Sequence, residues 1–222
     1  MIIAIDTSSR QAGIAVYDGV QVLAEISWIS QDYHTVELAP FLENALQTTG
    51  INLSDLRAVA VATGPGSFTG LRIGIALAKG IALGGFLPLV GVPTLDFLAA
   101  AQPVLDMPLA AVLRAGRGRL AVDFYQVRDE QWHSQDRLQL MDIQTLSAKI
   151  NHPTLVCGEL TAEERRFLAR KRKNVHLVSP AQGMRRPSFL AEVAWQRWQA
   201  GQVADPVALA PIYLHVGEPI PG

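Results

Sequence analysis

"GPGSFTGLRIG", residues 64–74, lies between the apolar run "AVAVAT" and the stretch "IALAKGIALGG". A glycine-rich link from a strand into a helix is where α/β proteins place phosphate-binding loops, because free amides at the helix start point at an anion. The spacing does not make a P-loop. That motif needs four residues between its glycines and a lysine after the second. Here three residues separate Gly66 from Gly70, and Leu71 follows. Two uses stay open for the loop: it holds an anion on its amides, or it positions the helix that follows.

Apolar periodicity extends from this loop in both directions. Upstream, "IIAID", "AGIAVYD" and "VLAEISW" read as strands, with Asp18-Gly19 marking a hairpin. A helix over residues 35–47 and the strand "AVAVAT" follow. Downstream, the pattern predicts a helix over residues 69–83 capped by Ser67 or Thr69, a strand "LVGV" and a helix from Thr94. The second half repeats the order. "PLAAVLR", "RLAVDFYQV" and "RLQLM" read as strands, then a helix over 143–150, "TLVCG", a helix over 162–171, "VHLV" and a helix over 188–200. Three meandering strands, then alternating helices and strands, occur twice. This is an α/β chain with a duplicated ribonuclease-H-like unit, the actin/Hsp70/sugar-kinase (ASKHA) architecture, with two lobes of mixed sheet and flanking helices. Two prolines in "AAQPVLDMP" put the boundary there. The expected lobes are residues 1–103 and 104–222, with the last residues packing back on the first lobe.

Of 222 residues, 49% are hydrophobic and the net charge is −1. That is enough apolar material for a real core and excludes a disordered or strongly nucleic-acid-coating chain. Cys157 is the one cysteine, so no internal disulfide or cysteine zinc cluster is expected; its apolar strand makes it an inert core residue. The N-terminus reads as a first strand rather than a signal peptide, and the cytoplasm is the expected compartment. Residues 73–92 are apolar, but Lys79, Gly84-Gly85 and Pro88 divide them into a buried helix and a strand.

In duplicated folds of this kind ATP sits between the halves, and an acid ends the first strand of each half. The first half supplies Asp6 in "AIDTSS", with Thr7, Ser8 and Ser9 as hydroxyl donors. The matching strand of the second half ends in Arg114, without a carboxylate, and Asp123 falls inside the next strand. A Mg²⁺–phosphate site normally needs carboxylate ligands. Asp6, Thr7, Ser8, Gly64, Gly66 and Ser67 are therefore the candidates for a vestigial nucleotide loop. Asp6 has a structural alternative as well, capping its own hairpin turn. His34, His133, His152, His176 and His215 are scattered, with none four apart, and no "GxSxG" elbow is present. No catalytic set, metal or cofactor is expected.

"AIDTSS", His34-Thr35 opening a helix that contains Pro40, "GPGSFTGLRIG", Lys79-Gly80 and "APIYL" resemble, in this order from Ile2 to Leu214, the TsaB (YeaZ) family. The resemblance implies a non-catalytic, dimerising subunit in the formation of N6-threonylcarbamoyladenosine at position 37 of tRNAs that read codons beginning with A. Its implied partners are the paralogous transferase TsaD, which performs the transfer, the small ATPase TsaE, a second copy of itself, and tRNA indirectly or through basic contacts. TsaD-type enzymes carry a paired-histidine metal motif, whereas this chain has His34 alone. The family's acidic-basic segment, followed by Glu and Tyr, is replaced by "RAGRGRLA", residues 114–121, and nothing is carried over from it. The alternative is an actin-fold ATPase or small-molecule kinase acting alone. A glycopeptidase reading finds no metal ligands or nucleophile elbow.

Glycine costs about 1 kcal/mol inside a helix relative to alanine. Gly70, Gly74, Leu77, Ala78 and Ile81 nevertheless share one stripe of the helix after the loop. Ordinary packing on the chain's own sheet would account for it. With the resemblance, a helix–helix contact to TsaB or TsaD is the expectation, through His34, Leu38, Phe41, Leu42, Gly70, Arg72, Ile73, Gly74 and Leu77. "RRFLARKRK", residues 165–173, reads as a helix end with a solvated basic face or a tRNA phosphate contact. Trp195 and Trp198 read as largely structural.

Overall fold

Small apolar residues on one side of the central strands and larger ones on the other set the packing of the first half. The computed structural model describes residues 1–31, 34–116, 118–135 and 138–213. β1 (Ile2–Asp6) is buried throughout and pairs antiparallel with β2 (Gln11–Tyr17) and parallel with β4 (Ala58–Gly64). β3 (Val22–Ile29) and β5 (Leu89–Pro93) complete a sheet of order β3-β2-β1-β4-β5. Alternation sends Ile3, Ile5, Val59 and Val61 to one face. There they meet Leu38, Leu42 and Ala45 of α1 (His34–Thr49) and Ile75, Ala78 and Ala82 of α2 (Phe68–Gly85). The other face presents Ala4, Ala15, Ala58, Ala60 and Ala62. Short side chains let α6 (Pro187–Gln199), the last helix of the chain, lie close on it through Leu190, Ala191 and Ala194.

The second half repeats the order. β6 (Leu109–Arg114), β7 (Leu120–Arg128), β8 (Gln131–Ser134), β10 (Thr154–Gly158) and β11 (Val175–Leu177) form the sheet β11-β10-β6-β7-β8. α3 (Thr94–Ala100) lies between the sheets, giving Phe97 to the first and Leu95, Leu98 and Ala99 to the second. α4 (Ile143–Lys149) and α5 (Ala162–Leu168) flank the second sheet, with a 3₁₀ turn, Ala169–Lys171, finishing the expected length of α5. The chain then returns to the first lobe. α6 covers the first sheet, Ala204 bridges to Leu89, and Ile212 N–H donates to Thr63 O at 2.7 Å.

One strand differs from the sequence expectation. The third strand of the second meander is β8, "QWHS", and "RLQLM" contributes only the short β9 (Gln139–Met141), which pairs with the start of β7. The turn into β8 is made by Asp129 and Glu130, at φ 48° and 59°. Two left-handed residues close a tight hairpin, a role usually given to Asn-Gly or Asp-Gly, so the sequence carried no turn signal there.

Candidate functional site

β1 delivers Asp6 to the junction of the two lobes, where the turn at residues 6–9 begins. Asp6 Oδ1 accepts from Ser8 N (2.8 Å) and Ser8 Oγ (2.5 Å), which closes the turn on itself. Its other oxygen faces Arg185, which precedes α6 and is 1% exposed. Arg185 Nε donates to Asp6 Oδ2 at 3.0 Å and Nη1 to Glu159 Oε1 at 2.5 Å. Nη2 donates to Ser9 Oγ (2.7 Å) and Gln11 O (2.8 Å). Gln11 returns a bond from Nε2 to Arg185 O at 2.7 Å, and Ser9 Oγ donates to Glu159 Oε1 at 2.7 Å. Burial opposes the guanidinium charge, but Asp6 and Glu159 outweigh it and hold the Arg185 pKa above its ordinary value. Burial likewise raises Glu159, and Arg185 beside it prevails and holds that carboxyl below the usual range.

Neither Arg185 nor Glu159 was identified from the sequence. The second-lobe acid was sought at the end of β6, where Arg114 forms a partly exposed pair with Glu164 at 3.3 Å. It comes instead from the residue after β10. A signal for Arg185 did exist. Arg185-Arg186-Pro187 opens a helix, where cations oppose the dipole unless they are paired. Both are: Arg186 Nη2 meets Glu25 Oε2 at 2.6 Å. Asp123 is buried in β7 and accepts from Ser134 Oγ, away from this cluster.

The loop at residues 64–70 docks onto the same turn. Ser67 N–H donates to Ser8 O at 2.6 Å, and Thr7 Oγ1 donates to Gly70 O at 2.7 Å. Ser67 caps α2, its Oγ accepting from Gly70 N at 3.2 Å. The glycines permit this approach. A Cβ on Gly66 would lie 2.1 Å from Ser8 O, one on Gly70 2.3 Å from Thr7 O, and one on Gly74 2.1 Å from Thr7 Oγ1. The loop positions its helix against the chain's own first strand. All six vestigial-loop residues, Asp6, Thr7, Ser8, Gly64, Gly66 and Ser67, surround this turn, but the arrangement does not fit a metal–phosphate group. Both carboxylates already bind a guanidinium, and the amide of Ser67 is taken by Ser8. Among the described residues no three His, Cys, Asp or Glu side chains gather to hold a metal ion.

Five of the expected interface residues are buried within the single chain. Gly70 and Gly74 face Thr7 of the chain's own first lobe. Leu38 and Leu42 are buried in the first-sheet core. His34 is buried too: Nε2 donates to Ser9 O at 3.1 Å and Nδ1 meets Ser30 Oγ at 3.2 Å. Sequence periodicity identified a real stripe but could not say which way it faced. Phe41, Ile73 and Leu77 are half-buried and Arg72 is exposed. Phe41 stacks on Trp28 with ring centroids 4.1 Å apart, and Arg72 lies 3.8 Å over the Phe68 ring while its Nε donates to Tyr213 Oη at 2.8 Å. The exposed line of α2 is Thr69, Arg72, Ala76, Gly80 and Leu83, and a Cβ on Gly80 or Gly84 would meet nothing within 4 Å. By length and composition α2 could cross a bilayer, yet it packs one side on the first sheet and only a third of it is buried. Phe86 ends it at φ 52° and is 96% exposed.

In the basic run, Arg165 Nη2 donates to Val178 O and Lys171 Nζ to Ser147 O and Ile150 O, so two of the cations tie α5 to its own lobe. Arg166, Arg170, Arg172 and Lys173 are exposed. Trp195 and Trp198 pack edge-on at 5.1 Å against the α6 side of the first sheet. Burial raises the Cys157 thiol pKa, consistent with an inert core thiol. His215 and Leu214 lie outside the described residues.

A duplicated β3-β2-β1-β4-β5 sheet with a junction between the halves defines an ASKHA-fold protein, here with its carboxylates held by an internal arginine. The same fold is found in the ROK hexokinase of Thermus thermophilus, at TM-score 0.51 and 10% identity over 90% of this chain and 99% of that one. The likeness to YeaZ from Pseudomonas aeruginosa is much closer, at TM-score 0.80 and 22% identity over 96% and 99% of the two chains. Residues 21–177 match the model of the TsaD family, tRNA N6-adenosine threonylcarbamoyltransferase. The tRNA threonylcarbamoyladenosine biosynthesis protein TsaB of Bacillus subtilis is 30% identical over 98% of this chain and 95% of its own length. The chain belongs to the TsaB family.

Proposed function

We propose that this chain serves tRNA threonylcarbamoyladenosine biosynthesis as a non-catalytic subunit that docks on a TsaD-type transferase and on a second copy of itself, with a TsaE-type ATPase joining the assembly. Family membership supports the pathway. The observation that carries the non-catalytic reading is Arg185. Its guanidinium occupies Asp6 and Glu159 together, at the junction where kinases of this fold hold metal and phosphate. A divalent ion would have to displace a buried cation held by hydrogen bonds to Asp6, Glu159, Ser9 and Gln11. Docking is supported by α2, whose outward line of Ala76, Gly80 and Leu83 is apolar and exposed, with open space over Gly80. Half-buried Ile73, Leu77 and Phe41 and exposed Arg72 flank it. A face of this kind admits another helix at short range, and arginine and aromatic residues at its margin are the types that anchor interfaces. Arg166, Arg170, Arg172 and Lys173 form a second surface, suited to weak contact with tRNA phosphates.

Two measurements test this. Nucleoside mass spectrometry of tRNA from cells depleted of the protein should show loss of threonylcarbamoyladenosine. Unchanged modification, with no second copy of the gene to compensate, overturns the assignment. Purified protein given Mg²⁺ and ATP should show background turnover only, whereas turnover abolished by Asp6→Asn would make the chain an ATPase or kinase in its own right.

A further inference from the structure

The turn at residues 7–9 is held from three directions at once. From the second lobe, Arg185 Nη2 donates to Ser9 Oγ at 2.7 Å while Nε and Nη1 hold Asp6 and Glu159. From the α1 side, His34 Nε2 donates to Ser9 O at 3.1 Å, and His34 is the first residue of that helix. From α2, the Ser67 cap donates its N–H to Ser8 O at 2.6 Å, and Gly70 O accepts from Thr7 Oγ1 at 2.7 Å. The starts of both helices on the proposed docking side thus converge on three consecutive residues. Those residues are tied to the opposite lobe by the buried guanidinium and by the Ser9–Glu159 bond that it flanks.

We infer that Arg185 is a positioning residue for the α1–α2 face, setting the placement of both helix starts through the turn at residues 7–9. The inference rests on the reading of that face as a docking surface. Its physical basis is the fit between a rigid donor and a turn whose own side-chain bonds reach only from Asp6 to Ser8. A guanidinium presents several N–H groups in one plane, and here they reach two carboxylates, a hydroxyl and a backbone carbonyl. Without it, Asp6 and Glu159 lose their shared counter-charge, and Ser9 keeps only its direct bond to Glu159. The turn then relaxes, and the Ser8–Ser67 and Ser9–His34 bonds relax with it. A face that receives a partner at close range tolerates little displacement of its helices. Arg185 itself is buried and contributes no surface to a partner.

Hydrogen exchange on the full-length chain, below the concentration at which it self-associates, tests the coupling. In Arg185→Met, amides at residues 34–38 and 67–75 should exchange at least about tenfold faster than in wild type, with β4 and β5 amides unchanged. Self-association of the same variant should weaken on the order of tenfold, within the usual span of coupling between distant sites. Glu159→Gln, which keeps the guanidinium but neutralises one acceptor, should move both readouts in the same direction by less, and it decides the matter if Arg185→Met does not fold. Equal acceleration in β4 and β5 would mean that Arg185 serves general stability only. Unchanged exchange at either helix start would overturn the inference. A wild-type chain that binds neither itself nor the transferase would remove the docking reading, and the exchange comparison would still decide whether Arg185 holds the helices.

Discussion

At the scale of single residues, the decisive group is a buried cation between two carboxylates. Side chains of Arg185 and Asp6 are 1% and 3% exposed, while Glu159 remains 24% exposed. Deleting one partner of a buried pair leaves the other charge uncompensated, so Asp6→Ala should lose about 3–5 kcal/mol in urea denaturation. A loss near zero would show that the pair is not buried in solution. Acid should act through the same cluster. The folded Glu159 carboxyl titrates below its ordinary value because Arg185 overcomes burial, and Glu25 does so through Arg186 and Ser188. A depressed folded pKa contributes stability that is present above the unfolded value, about 4.3 for glutamate, and is lost as pH falls through the folded value. Thermal melts should therefore fall below roughly pH 4.5, and less steeply in Glu159→Gln. Identical slopes would contradict the assignment. Asp6 and the Ser67 cap were legible from local sequence, because turns and caps are local chemistry. The partner of Asp6 was not, since it lies 179 residues away.

At the scale of elements, α2 shows what periodicity settles and what it leaves open. A repeat near 3.6 residues says which side chains share a stripe. It does not say which stripe meets the sheet when apolar residues surround the helix, and α2 is apolar on nearly every side. Hence Gly70 and Gly74 were read as an outer contact when they face Thr7, and the open positions are Gly80 and Gly84. The two kinds of glycine should respond in opposite ways. Gly74→Leu forces a side chain into Thr7 and should destabilise the monomer by about 1–3 kcal/mol or more. Gly80→Leu meets open space and improves helix propensity by up to about 1 kcal/mol, so its melting temperature should not fall. Its dimer, followed by analytical ultracentrifugation, should dissociate. A Gly80→Leu chain that remains dimeric would place the interface elsewhere.

At the scale of the whole molecule, duplication was the most legible property, because two copies of one element order reinforce each other where a single strand is ambiguous. The missing piece was β8, hidden behind a hairpin turn of Asp129 and Glu130 without glycine. The sequence points to a return of the last residues to the first lobe but not to α6 as the element that makes it, although the alanine face of β1 and β4 marks where a helix lies close. Together these features make a two-lobed molecule whose junction is tied by its own arginine and whose outward surface is a helix face. The most direct test of that account is the threonylcarbamoyladenosine content of tRNA in depleted cells supplied with wild-type protein or with Gly80→Leu at equal abundance. The account predicts that wild type restores the nucleoside and that the folded variant leaves it near the depleted level. Full restoration by Gly80→Leu would contradict it.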